Sequence, residues 1–361
     1  MIRFILGRVL LAGFLVIVVI SACFGLVSLI PGDPAFAVLG EFATPEQVAE
    51  LNRKLGLDQP FLIQWWNYVT AALRGDLGTS YFSGAPITEE ILMRLPASLL
   101  LVIPGIFLAV VIGVAVGTAS AYRRGSALDR ALSGLTSATL AIPEFALALI
   151  LIYVFFQILH IAPPPLGMLS PLDPLPPQQT GSVLIDAVLS GSWETIGVAA
   201  SRAALPIVTL GIFFSAFFAR AVRTGLTAAL QSPQVEFARA CGLSEFTVFR
   251  YAMGDMRRTL LTFLVILTGG ALSGAVILET VFSWPGIGTW AIDGIHRVDI
   301  PVIQGFVLII ATTLLFAYVA VDVLIAFIDP RVRAQVSASS ARESAPSPVE
   351  TEARTPTSDA S

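Results

Sequence analysis

Lysine is nearly missing from this sequence: of 21 basic residues only Lys54 is one, in NRKLG (52–56). A phosphate-binding loop of the form G-x-x-x-x-G-K-[ST] needs a lysine that reaches the phosphates. The chain cannot hold one, so any nucleotide hydrolysis it serves belongs to another polypeptide. Charge of either sign is scarce, 13% of 361 residues, too little to clothe a soluble protein of this size. The two histidines, His160 and His296, stand apart from any cysteine or carboxylate at ligand spacing, which argues against a metal site. No H-E-x-x-H and no G-x-S-x-G occurs, so proteolysis has no residues to run on.

What is present is apolar: 55% of the residues are hydrophobic and the mean hydropathy is +0.82. These residues come in blocks. Stretches 9–30, 97–121, 203–219 and 259–278 carry no charge, and 131–159 and 301–328 carry one acid each. About 20 helical residues cross a bilayer core of about 30 Å. The expected fold is therefore an all-α integral membrane protein with six transmembrane helices. Arg3 and Arg8 followed by an apolar run and ISAC (20–23) imitate a signal sequence. The run continues to Ile30, longer than a signal segment, with no cleavage-like site after it, so it is expected to be retained.

Fifteen of the 21 basic residues fall in segments that share one side with the N-terminus, which places both termini in the cytoplasm. Cys23 and Cys241 then lie in different compartments, and no disulfide framework is possible. The chain divides into a first transmembrane helix (1–30), an external helical segment (31–95), a five-span core (96–330) with a cytoplasmic loop at 229–258, and a cytoplasmic tail (331–361). The tail is rich in Ser, Ala, Pro and Thr and is expected to be disordered. In the external segment, PGDPA (31–35) breaks the first helix. Thr44-Pro45-Glu46-Gln47 fits a capping box. A second helix is expected from Pro60 to about Leu73, with Phe61, Trp65, Tyr68 and Ala72 on one face. Proline-dense 161–181 should be irregular, 183–190 helical, and Pro285-Gly286 a turn.

SPQVEFARACGLSEF (232–246) is polar between two apolar blocks. Ser232 can cap a helix with Pro233 at its first position, Gly242 can end it, and Ser244 can cap the next. The expectation is a bent helix–glycine–helix knob, with Ala238 and Gly242 presenting a small-residue seat flanked by Glu236 and Arg239. A helix lying in the headgroups is the alternative. It would need more bulky apolar residues than Val235 and Phe237, and Glu236 opposes anionic lipid.

The pattern Glu236-x-Ala238-x-x-x-Gly242, followed by Leu243-Ser244, resembles the coupling loop of bacterial ABC importer permeases. The rest of the chain is similar to the dipeptide/oligopeptide/nickel branch of that family. The matching stretches are MIRFILGRVL, IPGDPA, LGLDQPFLIQWWNYV, RGDLGTSY, RLPASL, LPIVTLG, ETVFSWPGIGTW, DIPVIQG and DPRVR, in order from residue 1 to about 333. Two departures stand out. Cys241 replaces a usual basic residue, and YAMGDMRRTL (251–260) lacks the usual His, Asn and Pro.

The resemblance implies a MetI-like type I importer permease fold and a transport subunit rather than an enzyme. It would form half of a translocation pathway for peptides, or for a nickel chelate or glutathione, in the bacterial plasma membrane. The implied partners are a second homologous permease, two ATP-binding cassette subunits that hold ATP and Mg, an extracytoplasmic binding protein and the lipid bilayer, with no nucleic acid. Glu236, Ala238, Arg239, Gly242, Leu243 and Ser244 would couple to the ATPase. Trp284, Pro285 and Gly286 would form part of an external gate or a plain turn.

Three acids at membrane depth, Glu144, Glu279 and Asp322, cost about 2.5–3.5 kcal/mol each against lipid and must face protein or a wet cavity. They would serve as a substrate-amine or proton site, or as interhelical hydrogen-bond partners or span-end residues near the headgroups, the last two readings suiting Glu279 and Asp322, which sit near span ends. An ATP-independent secondary transporter or channel is the rival reading; it would use the acids and leave the knob idle.

Overall fold

The computed structural model describes residues 2–28, 39, 43–54, 56–170, 172–173, 175–180 and 183–328, and every element among them is helical apart from one isolated bridge between Thr79 and Pro86. In chain order the helices are α1 (Ile2–Ser28), α2 (Pro45–Lys54), α3 (Phe61–Leu73), α4 (Ile87–Tyr122), α5 (Ala127–Ala141), α6 (Glu144–Ile152, continued by a π turn Tyr153–Ile158), α7 (Val183–Ser190), α8 (Trp193–Leu230), α9 (Pro233–Ala240), α10 (Glu245–Val281), α11 (Ile287–Arg297) and α12 (Ile300–Ile328). The expected PGDPA break (31–35) and the tail (331–361) lie outside the described residues.

Local chemistry accounts for the helix starts. Thr44 and Gln47 form the expected reciprocal cap: the Thr44 amide donates to Gln47 Oε1 (3.0 Å) and the Gln47 amide to Thr44 Oγ1 (3.4 Å). Ser126 caps α5 by accepting from the Asp129 amide (3.2 Å).

The core is built on α4 and α8. Glycines on α4 face bulky residues on α8, so a Cβ at Gly105 would meet Leu210, at Gly113 Phe218 and at Gly117 Val222; in return a Cβ at Gly211 would meet Leu108. The sequence offset stays near 105 along the whole contact, which is possible only if the two helices run parallel in fixed register. Close approach of the backbones lets each side chain fill the opposite glycine notch, which is where packing energy between apolar helices comes from in lipid. α10, α5 and α6 pack around this pair, while α1 lies along α12.

Four stretches are long and apolar enough to cross a membrane: α4, α8, Thr259–Val281 of α10 and Ile300–Val321 of α12. The apolar part of α1 among the described residues, Leu10–Gly25, is shorter. The expected span 131–159 is not one rod. It divides into α5 and α6, which meet at 104°. Pro143 explains the break: it disfavours helical backbone at the residue before it, and Ile142 sits at φ −90, ψ 127. The expected turn at Pro285-Gly286 leads into helix α11, which fills most of the stretch between α10 and α12.

Candidate functional site

Three groups of residues stand out, and the first is the knob. Ser232 Oγ accepts from the Val235 amide (3.4 Å), Pro233 occupies the first helical position, and Gly242 ends α9 at φ +73, a conformation glycine adopts without penalty. Ser244 Oγ then accepts from the Thr247 amide (3.4 Å) and starts α10. One residue is turned the wrong way for the expectation. Ala238 is buried with Val235 in the chain's own core, so it forms no outward seat. Spacing explains this: Val235 and Ala238 are three apart and share the face that meets α8 and α10.

The outward surface instead carries exposed apolar side chains among polar ones. Phe237 is 72% exposed and Phe246 69%, with Leu243 between them in sequence. Glu236, Arg239, Cys241, Gly242 and Ser244 are exposed alongside. Arg239 Nε reaches Glu245 Oε1 at 3.5 Å across the glycine bend. Phe237 and Phe246 were not singled out from sequence, although two exposed aromatics in so polar a segment are the signal for a docking surface.

The second group joins three helices near the same end of the bundle. Asp129 at the start of α5 receives a two-pronged contact from Arg223 of α8 (Nε to Oδ1 2.9 Å, Nη2 to Oδ2 3.1 Å), together with the Ser120 hydroxyl and the Gly125 amide (2.9 Å). Beside it Ser120, Ser133, Thr136, Ser137, Arg220 and Arg223 line a polar cleft of about 110 Å³. Asp129 and Arg223 are 94 residues apart, so no local pattern announced the pair.

The third group lies at the opposite end of the bundle, around the turn 282–286. Glu279 is 1% exposed and fully occupied: Oε1 accepts from Ser98 Oγ (2.5 Å), and Oε2 from the amides of Gly288 (2.7 Å) and Thr289 (3.1 Å). A carboxylate on the first amides of α11 meets the positive end of that helix. Ser98 Oγ in turn accepts from the Ile287 amide (2.8 Å). A Cβ at Gly286 would collide with the Glu279 carboxylate, so the turn needs glycine there for lack of space. Trp284 is buried and its Nε1 donates to Ala97 O (2.9 Å); Pro285 is exposed. Nearby, Asp299 accepts from Ser80 Oγ (2.5 Å) and the Tyr81 amide (3.2 Å), and burial beside Asp299 pushes the Tyr81 phenol up to about 12.

Glu144 behaves differently from Glu279. It is 9% exposed, stands at the first position of α6 beside the break, and lies so close to Gly274 of α10 that a Cβ there would overlap Oε2. Its Oε1 has no hydrogen-bond partner among the described residues. The side chain of Asp322 is outside the described residues.

Comparison with known proteins gives this geometry its context. The family model described as binding-protein-dependent transport system inner membrane component matches residues 109–334, and a model for the N-terminal part of such membrane components matches residues 1–102. The chain belongs to that family. The probable D,D-dipeptide transport system permease of Escherichia coli K12 is 36% identical over 322 residues, covering 88% of this chain and 94% of its own. The dipeptide transport system permease of Alkalihalophilus pseudofirmus is 34% identical, covering 92% and 100%. The glutathione transport system permease of Salmonella choleraesuis is 32% identical, covering 92% and 99%. The chain is thus a multi-pass membrane protein and a permease subunit of an ATP-driven importer, a transport component that works with other subunits and not an enzyme.

Proposed function

We propose that this permease crosses the bacterial plasma membrane six times with both termini in the cytoplasm, and that it forms half of an import pathway for small peptides. Its partners in this reading are a second homologous permease, two ATP-binding subunits and an extracytoplasmic binding protein. The observation that carries the substrate class is the set of relatives matched over nearly their whole length, which are named for dipeptides, di/tripeptides and glutathione. The parallel α4–α8 pair supports the topology, because spans two and four of a six-span chain enter from the same side.

The knob is the coupling element. Phe237, Leu243 and Phe246 supply apolar contact to the ATPase, while Glu236, Arg239, Gly242 and Ser244 fix the charge and the bend; Ala238 contributes by seating α9 on its own bundle. The docked contact must differ in free energy between inward-open and outward-open states, or ATP closure would do no work. The buried Trp284 and Gly286, with exposed Pro285, form a rigid outer corner of the pathway held by Glu279. Glu144, at the start of a half-helix in a broken span, is the acid placed to meet a solute amine or a proton, since discontinuous spans commonly carry such sites.

Whole-cell uptake of radiolabelled Ala-Ala, with and without vanadate, tests the reading. Vanadate-sensitive uptake that is lost on deletion of this chain is expected. Uptake that survives vanadate and follows a proton gradient would overturn it in favour of a secondary transporter.

A further inference from the structure

The helix α3 belongs to a segment expected outside the membrane, yet its surroundings are those of a membrane-embedded element. Its inner face packs on the apolar run of α1. Trp65 Nε1 donates to Ser21 Oγ (3.0 Å), Phe24 stacks against Phe61 and Tyr68 with centroids 5.2 and 5.6 Å apart, and Val69 shares a buried cluster with Ile20 and Leu308. Ile20 lies about 12 Å inside the end of α1 at Ser28, and Leu308 about 12 Å below the start of α12. A helix fastened at that depth cannot be wholly in water if α1 and α12 cross the bilayer.

The adjoining face agrees. Leu62, Trp66 and Leu73 lie along one strip and are 72%, 59% and 56% exposed, with Ile63 beside them. No residue of α3 is charged. Its polar side chains gather on another arc and turn to the preceding loop: Gln64 Nε2 donates to Leu57 O (3.0 Å) and Gln59 O (2.7 Å), and Asn67 Nδ2 to Gln59 Oε1 (3.2 Å). The neighbouring α2 is the contrast. It exposes Glu46, Glu50, Arg53 and Lys54 in only ten residues, with Lys54 paired to Glu50 at 2.9 Å. On α1 itself Phe14, Ile17 and Val18 are exposed as well, side chains that in a spanning helix face lipid or a neighbouring span.

We propose that α3 lies in the outer leaflet as an interfacial helix, with Leu62, Trp66 and Leu73 against lipid acyl chains and Gln64 and Asn67 toward water. An amphipathic helix of this kind sinks about 5–10 Å into the boundary between headgroups and acyl chains, and contacts about 12 Å inside the ends of α1 and α12 are within reach of the side chains on its inner face. Trp66 is suited to that level because its ring is apolar and its N–H can reach headgroup water. The consequence is that the external segment is two devices: a charged α2 offered to water and to the binding protein, and an α3 that anchors it to the bilayer surface. The inference rests on the six-span reading of α1.

The test uses the full permease in its assembled complex in lipid nanodiscs, with Cys241→Ser as background because Cys23 is buried. Single substitutions Leu62→Cys, Trp66→Cys and Leu73→Cys carry a bimane label, with Phe14→Cys and Glu46→Cys as lipid and water references. Brominated acyl chains and aqueous iodide are the two quenchers. Loss of most emission at 62, 66 and 73 with brominated lipid, as at 14, and little loss with iodide is the expected result. Iodide quenching equal to that at 46 overturns the proposal. Protection from both quenchers also overturns it, because the strip is then covered by a protein subunit. Iodide quenching at position 14 equal to that at 46 would show that α1 does not span, and the proposal falls with the six-span reading on which it rests.

Discussion

Replacing Glu279 with alanine should open the outer corner of the permease, and the size of the effect follows from the hydrogen bonds it removes. The substitution leaves the Ser98 hydroxyl and the amides of Gly288 and Thr289 without their acceptor in a buried site. A buried donor without a partner costs about 1–3 kcal/mol, so three of them sum to about 3–9 kcal/mol, and water entering the vacated space beside the part-buried Thr289 amide brings the loss down to about 3 kcal/mol. Ser98→Ala removes one contact to Glu279 and the acceptor of the Ile287 amide, for about 1–2 kcal/mol. Because both act through one network, the double variant should cost less than the two single costs together, by about 0.5–3 kcal/mol. Glu279→Gln keeps one carbonyl for the amides and should fall between wild type and alanine. Unfolding in mixed micelles titrated with SDS reads these free energies, and the newly reactive Cys23 thiol, buried in the folded chain, reports the transition. Strict additivity, or a Glu279→Ala variant as stable as wild type, would refute the claim that this acid is a structural clamp.

Glu236→Lys or Gly242→Pro should leave the permease in the membrane at normal abundance while abolishing vanadate-sensitive uptake, checked by immunoblot and transport in the same cells. Phe237→Ala should weaken co-purification of the ATPase without lowering permease stability, whereas Ala238→Leu should lower stability by about 1–3 kcal/mol through overpacking against α8 and α10. Gly113→Val should do the same by driving a side chain into Phe218, measured by the SDS titration. Glu144→Gln should reduce uptake of Ala-Ala by about tenfold, the worth of one charge-assisted contact, while Glu144→Asp retains more of it; unchanged uptake in the Gln variant removes Glu144 from the pathway.

Much of the helix layout could be read from residues near one another in the chain. Thr44 with Gln47, and Ser232, Gly242 and Ser244, fix helix ends through bonds that span only a few residues, so their chemistry appears in the sequence itself. The break at Pro143 was in principle as legible. The apolar run around it is so strong that composition pointed to one continuous span, and the backbone restriction at Ile142 decided otherwise. What could not be read depends on distant partners. Ser98 and Glu279 are 181 residues apart, and nothing local separates Glu279, which has three donors, from Glu144, which has an oxygen with none. The knob was legible in shape but not in facing: small residues drew attention to Ala238, while burial of Val235 three positions earlier committed that side to the bundle and left Phe237 outside.

Helix α10 begins three residues beyond Gly242, carries Phe246 in its first turn and Glu279 in its last, and runs between them without a proline or a described break. At 1.5 Å per residue it is a rod about 55 Å long. Under the proposed coupling, a push or twist delivered at Phe246 would reach the far corner without crossing any joint, through a single connecting member and with no relay of loops.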